Sequence, residues 1–177
     1  MTSGINATLP DTSTAGSGGR ALRAIVGGGL LGGLFDITFA CTVWAIRAGV
    51  TPIRVGQSVA AGLLGRDASL AGGVATGILG LVLHFLMAMV MAAIYYGAAT
   101  RMTLLVKRAV PCGLAYGLGI YLVMNFVVLP LSAIGKMGGS GPLVIMIPEI
   151  LVHMFGLGLT IALFTRAALR SAPQSTH

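Results

Sequence analysis

The chain has 177 residues, enough for one domain and short for two. Apolar residues make up 56% of it and charged residues 8%, against about 25% charged in soluble domains, and the mean hydropathy is +0.95. That composition excludes a soluble globule. The net charge of +7 does not indicate nucleic acid, because the eleven bases are scattered between apolar runs.

Residues 1–20 are rich in Ser, Thr and Gly and read as a disordered N-terminal tail. No cleavable signal is apparent, since the first apolar run is full length and the chain stays apolar after it. A single membrane domain is expected over 21–170, with a short C-terminal tail at 171–177.

Four runs are long enough to cross a bilayer, which takes about 20 apolar residues. They are Ile25 to Ile46, Val74 to Tyr96, Val110 to Leu131 and Leu143 to Phe164. Helices are expected, because backbone polar groups in lipid must pair within their own segment. The runs are continuous rather than alternating, which excludes a β-barrel. The expected fold is an all-α, four-transmembrane-helix bundle.

Between the first two runs, Thr51-Pro52 marks a helix start and Gly65 a helix stop. Ile53, Val59, Ala60, Leu63 and Leu64 fall on one face, and Arg54, Gln57, Ser58 and Ala61 on the other. A short amphipathic helix lying at the membrane surface is expected. Trp44, and Tyr95 with Tyr96, suit interfacial belts.

Arg20, Arg23, Arg101, Lys107, Arg108, Arg166 and Arg170 fall on one side of the membrane. Arg47, Arg54, Arg66 and Lys136 fall on the other. The larger set predicts that both termini are cytoplasmic. Cys41 and Cys112 sit near opposite ends of their runs, beyond the roughly 7 Å reach of a disulfide.

Asp36, His84, Asn125, Glu149 and His153 all lie inside apolar runs. An ionisable group at a helix centre costs about 2.5–3.5 kcal/mol on insertion scales, so such residues face the bundle interior and each other. At about 1.5 Å per residue, all five fall in one slab from mid-membrane toward the outer face. They also share stripes with small residues. Gly28 with Gly32, Gly73 with Gly77, and Gly113 with Gly117 have the spacing that lets membrane helices approach closely. A buried ionisable cluster is therefore expected. Glu149 and His153 are one helical turn apart, where carboxylate and imidazole can share a proton. Pro148 predicts a loosened turn beside them, and Pro130 ends the third run on the same side.

Gly80-x-x-x-His84, Cys112-Gly113-Leu114, Asn125, Leu129-Pro130-Leu131 and Glu149-Ile150-x-x-His153 together resemble the YagU-like family of small bacterial inner-membrane proteins. The resemblance covers about Leu79 to Arg170 and does not extend to Asp36. It implies an inner-membrane location and helical spans, and no reaction.

Two motifs carry no chemistry. Gly27-Gly28-Gly29-Leu30-Leu31-Gly32 fits a dinucleotide fingerprint, but it lies inside an apolar span with no strand before it. Gly138-Gly139-Ser140-Gly141 fits the surroundings of an intramembrane serine nucleophile, yet too few spans follow it. It reads as a turn.

Three functions remain open. The cluster could serve proton- or cation-linked transport, with Asp36, His84, Glu149 and His153 as the relay and Asn125 as a hydrogen-bond partner. Four helices make a narrow bundle, so a pathway calls for a homodimer. The same residues could hold a metal ion, or His84 and His153 a haem. Or they could only fix helix packing in a structural or assembly protein. A conventional enzyme finds no nucleophile with a base beside it. The lipid bilayer is the one partner the composition demands.

Overall fold

A computed structural model describes residues 12–134 and 143–170. The helices are α1 (Thr12–Ala48), α2 (Pro52–Leu64), α3 (Arg66–Ala71), α4 (Gly73–Ala99), α5 (Thr103–Lys107), α6 (Ala109–Val123), α7 (Leu129–Leu131), α8 (Leu143–Leu151) and α9 (Leu159–Arg170). Wide π-helical turns join α6 to α7 at Met124–Val128 and α8 to α9 at Val152–Gly158. Lys136 and the Gly138–Gly141 motif lie outside the described residues, as do 171–177.

Four helical stretches are long and apolar enough to cross a membrane: Gly18–Ala48, Gly73–Ala99, Ala109–Leu131 and Met146–Arg170. The fold is the expected all-α four-helix bundle, and by its build the chain is a multi-pass membrane protein. Large apolar side chains such as Leu34, Phe35, Ile78, Val82 and Phe126 stay exposed on its outside. On a soluble protein so much exposed apolar surface would be a liability, whereas facing lipid it costs nothing. One boundary differs from expectation. α1 starts at Thr12, so the part of the presumed tail from Thr12 to Arg20 is helical.

The spans alternate in direction, and small residues set the contacts between them. On α1, Gly28 and Gly32 lie against Ile161 and Leu157 of the fourth span. Gly29 and Gly33, one position along, lie against Met89 and Ala88 of α4. α1 therefore carries two glycine stripes and packs on both neighbours. Gly113 and Gly117 bring α6 against Gly158 and the backbone of His153 and Met154. A core of Ala88, Ala92, Tyr95, Ile120, Leu157, Ile161 and Ala162 fills the middle. Tyr95 belongs to that core at 2% exposure, not to an interfacial belt. It packs on Tyr116, whose hydroxyl donates to the Met91 carbonyl at 2.7 Å.

Gly73 has a different job from the one its spacing suggests. Its φ is +59°, and a Cβ there would meet open space. It turns the chain into α4 in a conformation that favours glycine. Gly77 does pack, with Gly80 beside it, against Ile53 and Gly56 of α2.

α2 forms where Thr51-Pro52 and Gly65 place it. Its faces are not those expected. Gln57 and Ala61, assigned to the polar outer face, are buried, while Ile53, Leu63 and Leu64 are exposed. The reason is close packing on α4: Gly56 and Ala60 meet the backbone of Gly77 and Gly80. Gln57 then becomes the centre of a polar corner. Its Nε2 donates to the Gly73 carbonyl at 2.9 Å, its own carbonyl accepts from Ser69 Oγ at 2.6 Å, and Thr76 Oγ1 donates to the Ser69 carbonyl at 2.6 Å. The far end of α2 reaches the third span, where the Ala133 N–H donates to the Gly62 carbonyl at 2.9 Å. α2 thus crosses the end of the bundle marked by Trp44.

Candidate functional site

The fold brings three of the five intramembrane polar side chains together. Asp36 of α1 stands between His84 of α4 and His153 of the fourth span. Asp36 Oδ1 is 3.4 Å from His153 Nδ1, and Asp36 Oδ2 is 4.0 Å from His84 Nε2. Gly33 makes this possible, because it lets α4 approach α1 one turn before Asp36. From the start of α4, His84 is roughly 16 Å deep at 1.5 Å per residue.

Each imidazole is also tied to backbone. His84 Nε2 lies 2.9 Å from the Gly33 carbonyl, and His153 Nδ1 lies 2.8 Å from the Glu149 carbonyl. A carbonyl only accepts, so both of these nitrogens carry hydrogen. Each N–H is thus engaged by a backbone carbonyl, with the Asp36 carboxyl group standing nearby at ion-pair distance. In the neutral rings, the lone pairs reside on His84 Nδ1 and His153 Nε2. Aromatic rings hold the imidazoles edge-on: Phe85 beside His84 at 5.4 Å, and Tyr121 beside His153 at 5.6 Å.

The π turn supplies part of this arrangement. His153 lies in Val152–Gly158, and Pro148 lies inside the helix just before it. A wide turn leaves a carbonyl without its usual i+4 partner, and π turns concentrate at functional sites. The His153 ring donates to that region's Glu149 carbonyl.

The other two residues are placed differently. Glu149 meets His153 through its backbone carbonyl rather than its carboxylate. Its side chain is half-buried, within electrostatic reach of His153 and Asp36. Asn125 lies in the other π turn, and its Nδ2 donates to the Tyr121 carbonyl of its own helix at 3.0 Å. The expected buried cluster is corrected in a further respect. Asp36, His84 and His153 keep 15–17% side-chain exposure, so the group is partly open and not sealed.

Two contributors escaped sequence reading. Tyr121, 2% exposed, is aromatic in an aromatic-poor chain and lies one turn before Asn125, which was its only signal. The Gly33 carbonyl had none, since backbone acceptors leave no mark in composition.

The geometry bears on metal and haem. Among the described residues, no group of three or more His, Cys, Asp or Glu side chains is arranged to hold a metal ion. The nitrogens nearest Asp36 are the ones that carry hydrogen, and they cannot ligate while they donate. The Asp36 carboxyl group also occupies the space between the imidazoles that a porphyrin would need.

A four-span helical membrane protein with a carboxylate held between two imidazoles is the class this fold and site define. No family model, curated protein or solved structure matches the chain.

Proposed function

We propose that this protein is a proton-linked membrane protein, in which Asp36, His84 and His153 form the site that takes up and releases the proton. The observation that carries the reading is Asp36 standing 3.4 Å from one imidazole and 4.0 Å from the other. An incoming proton goes to His84 Nδ1 or His153 Nε2, the atoms left with lone pairs. The imidazolium that forms keeps its N–H bond to backbone and stands 3.4–4.0 Å from the Asp36 carboxyl group, which can meet the gained charge. The Glu149 carboxyl group lies within electrostatic reach of the same site. Pro148 and the π turn loosen the helix that carries His153.

Reconstitution into liposomes containing a pH-sensitive dye, under an imposed pH gradient, tests this. Wild-type protein should pass protons faster than empty liposomes, and Asp36→Asn and His153→Gln should abolish the excess while the protein stays folded. Equal rates for wild-type and empty liposomes would refute it.

A structural role is favoured by one observation of its own. His84 of α4 bonds to the Gly33 carbonyl of α1, which is how a side chain fixes the register of one helix on another. It predicts small stability losses and no flux in the same experiment.

The proposal extends to location. The larger set of basic residues at the Arg20 and Arg101 end supports cytoplasmic termini. The Glu149-Ile150-x-x-His153 element supports kinship with the YagU-like family and hence the bacterial inner membrane. The narrowness of a four-helix bundle supports a homodimer. Terminal reporter fusions that are active only outside the cytoplasm should stay silent at both ends.

A further inference from the structure

At the Trp44 end, away from the histidines, a cavity of about 460 Å³ opens between the end of α1, α2 and α3. That volume falls within the range of about 300–1,000 Å³ typical of small-molecule sites. Its walls have two characters. Arg54, Arg66 and Ser58 are among its lining residues, and so are the apolar Trp44, Val50 and Ile134. Such a lining suits a ligand with an anionic end and an apolar end.

The arginines are held there by the fold. Arg54 is one turn from Gln57, whose Oε1 accepts from Arg54 Nη1 at 3.4 Å while the rest of Gln57 is locked into the α2–α4 corner. That partner is neutral, so Arg54 keeps its charge uncompensated by it. Arg66 follows the Gly65 turn, whose φ of +80° sends the chain from α2 into α3. Around the same end, Ile46, Leu63 and Leu131 are 80%, 62% and 81% exposed. The cavity therefore opens beside surface that lipid covers. Guanidinium groups recognise phosphate through paired N–H donors in a fork that matches its oxygens.

We infer that this cavity binds the phosphodiester headgroup of an anionic phospholipid, with Arg54 and Arg66 on the phosphate and Trp44 against the start of the acyl region. The inference stands independently of the proton reading, since it shares no residue with that site.

Trp44 is the chain's single tryptophan, so tryptophan fluorescence reports on the surroundings of this cavity. Purified full-length protein is placed in mixed micelles of phosphatidylglycerol and phosphatidylcholine. One of the two lipids is brominated at a time, because bromine quenches tryptophan on contact. Brominated phosphatidylglycerol at low mole fraction should quench Trp44 several-fold more than brominated phosphatidylcholine at the same fraction. Arg54→Gln combined with Arg66→Gln should erase the preference, and Arg54→Lys, which keeps the charge, should retain most of it. Helix content by circular dichroism confirms that each variant is folded.

Inorganic phosphate at millimolar concentration separates the two sources of a phosphate group. If it leaves the preference intact, the lipid reading holds. If it removes the preference and shifts Trp44 emission without lipid, the occupant is a soluble phosphate and the lipid assignment is overturned. Equal quenching by both lipids, with no response to phosphate, overturns the site altogether.

Discussion

Asp36 and His153 join the first span to the last through a 3.4 Å contact between Oδ1 and Nδ1. Polar contacts between membrane helices average about 0.6 kcal/mol and reach about 1.7 kcal/mol in double-mutant cycles. A cycle of Asp36→Asn with His153→Gln, measured by unfolding in mixed micelles, should give a coupling in that range. Perfect additivity would mean that the two side chains do not interact in the folded protein.

Tyr121 should matter to His153 through its ring. Tyr121→Phe keeps the edge-on contact and should leave stability nearly unchanged. Tyr121→Leu removes it and should cost about 0.5–1.5 kcal/mol beyond lost area. Nuclear magnetic resonance supplies the specific readout: the His153 ring-proton shifts should move in the Leu variant and hold in the Phe variant.

Among the described glycines, some lie against the backbone of a neighbouring helix and others meet nothing. A Cβ at Gly80 would run into the Gly56 carbonyl, and neither backbone can step aside cheaply. Gly80→Ala should therefore destabilise by about 1–3 kcal/mol, as overpacking does. Gly119, inside α6, meets nothing within 4 Å. Gly119→Ala should be neutral or gain up to about 1 kcal/mol from helix propensity. Thermal unfolding of the two variants side by side decides it.

Gln57 is 3% exposed and serves carbonyls at both ends of the α2–α4 corner. Gln57→Leu keeps the bulk but leaves the Gly73 carbonyl without that donor. The cost should be about 1–3 kcal/mol. Limited proteolysis should show it locally, as faster cutting between Gly49 and Gly73 with the spans intact.

Span positions and the bounds of α2 were legible in the sequence, whereas of the five residues expected to form one buried cluster only Asp36, His84 and His153 come together, and they are not sealed. What was legible followed from a strong constraint: bilayer thickness, cap chemistry, or the cost of charge in lipid. The faces of α2 were not legible. A hydrophobicity contrast locates the inside of a soluble helix, but in a membrane both the core and the outside are apolar. Small residues then become the better guide, and Gly56-x-x-x-Ala60 had the right spacing. Glu149 misled for another reason. Its carboxylate drew the eye toward His153, while the contact is made by its carbonyl, which every residue possesses. Tyr95 was placed at an interface because it lies near a span end, but core packing against Tyr116 claims it.

α1 holds the bundle from within, one glycine stripe against α4 and the other against the fourth span. Chains emerge from the ribosome N-terminus first, so α1 enters the bilayer before either neighbour exists. Asp36 then meets lipid with no imidazole beside it. His84 arrives with the second span and His153 only with the fourth. Insertion is therefore completed from the C-terminal end, and a nascent protein cut short before Leu143 would carry a carboxylate that has found just one of its two partners.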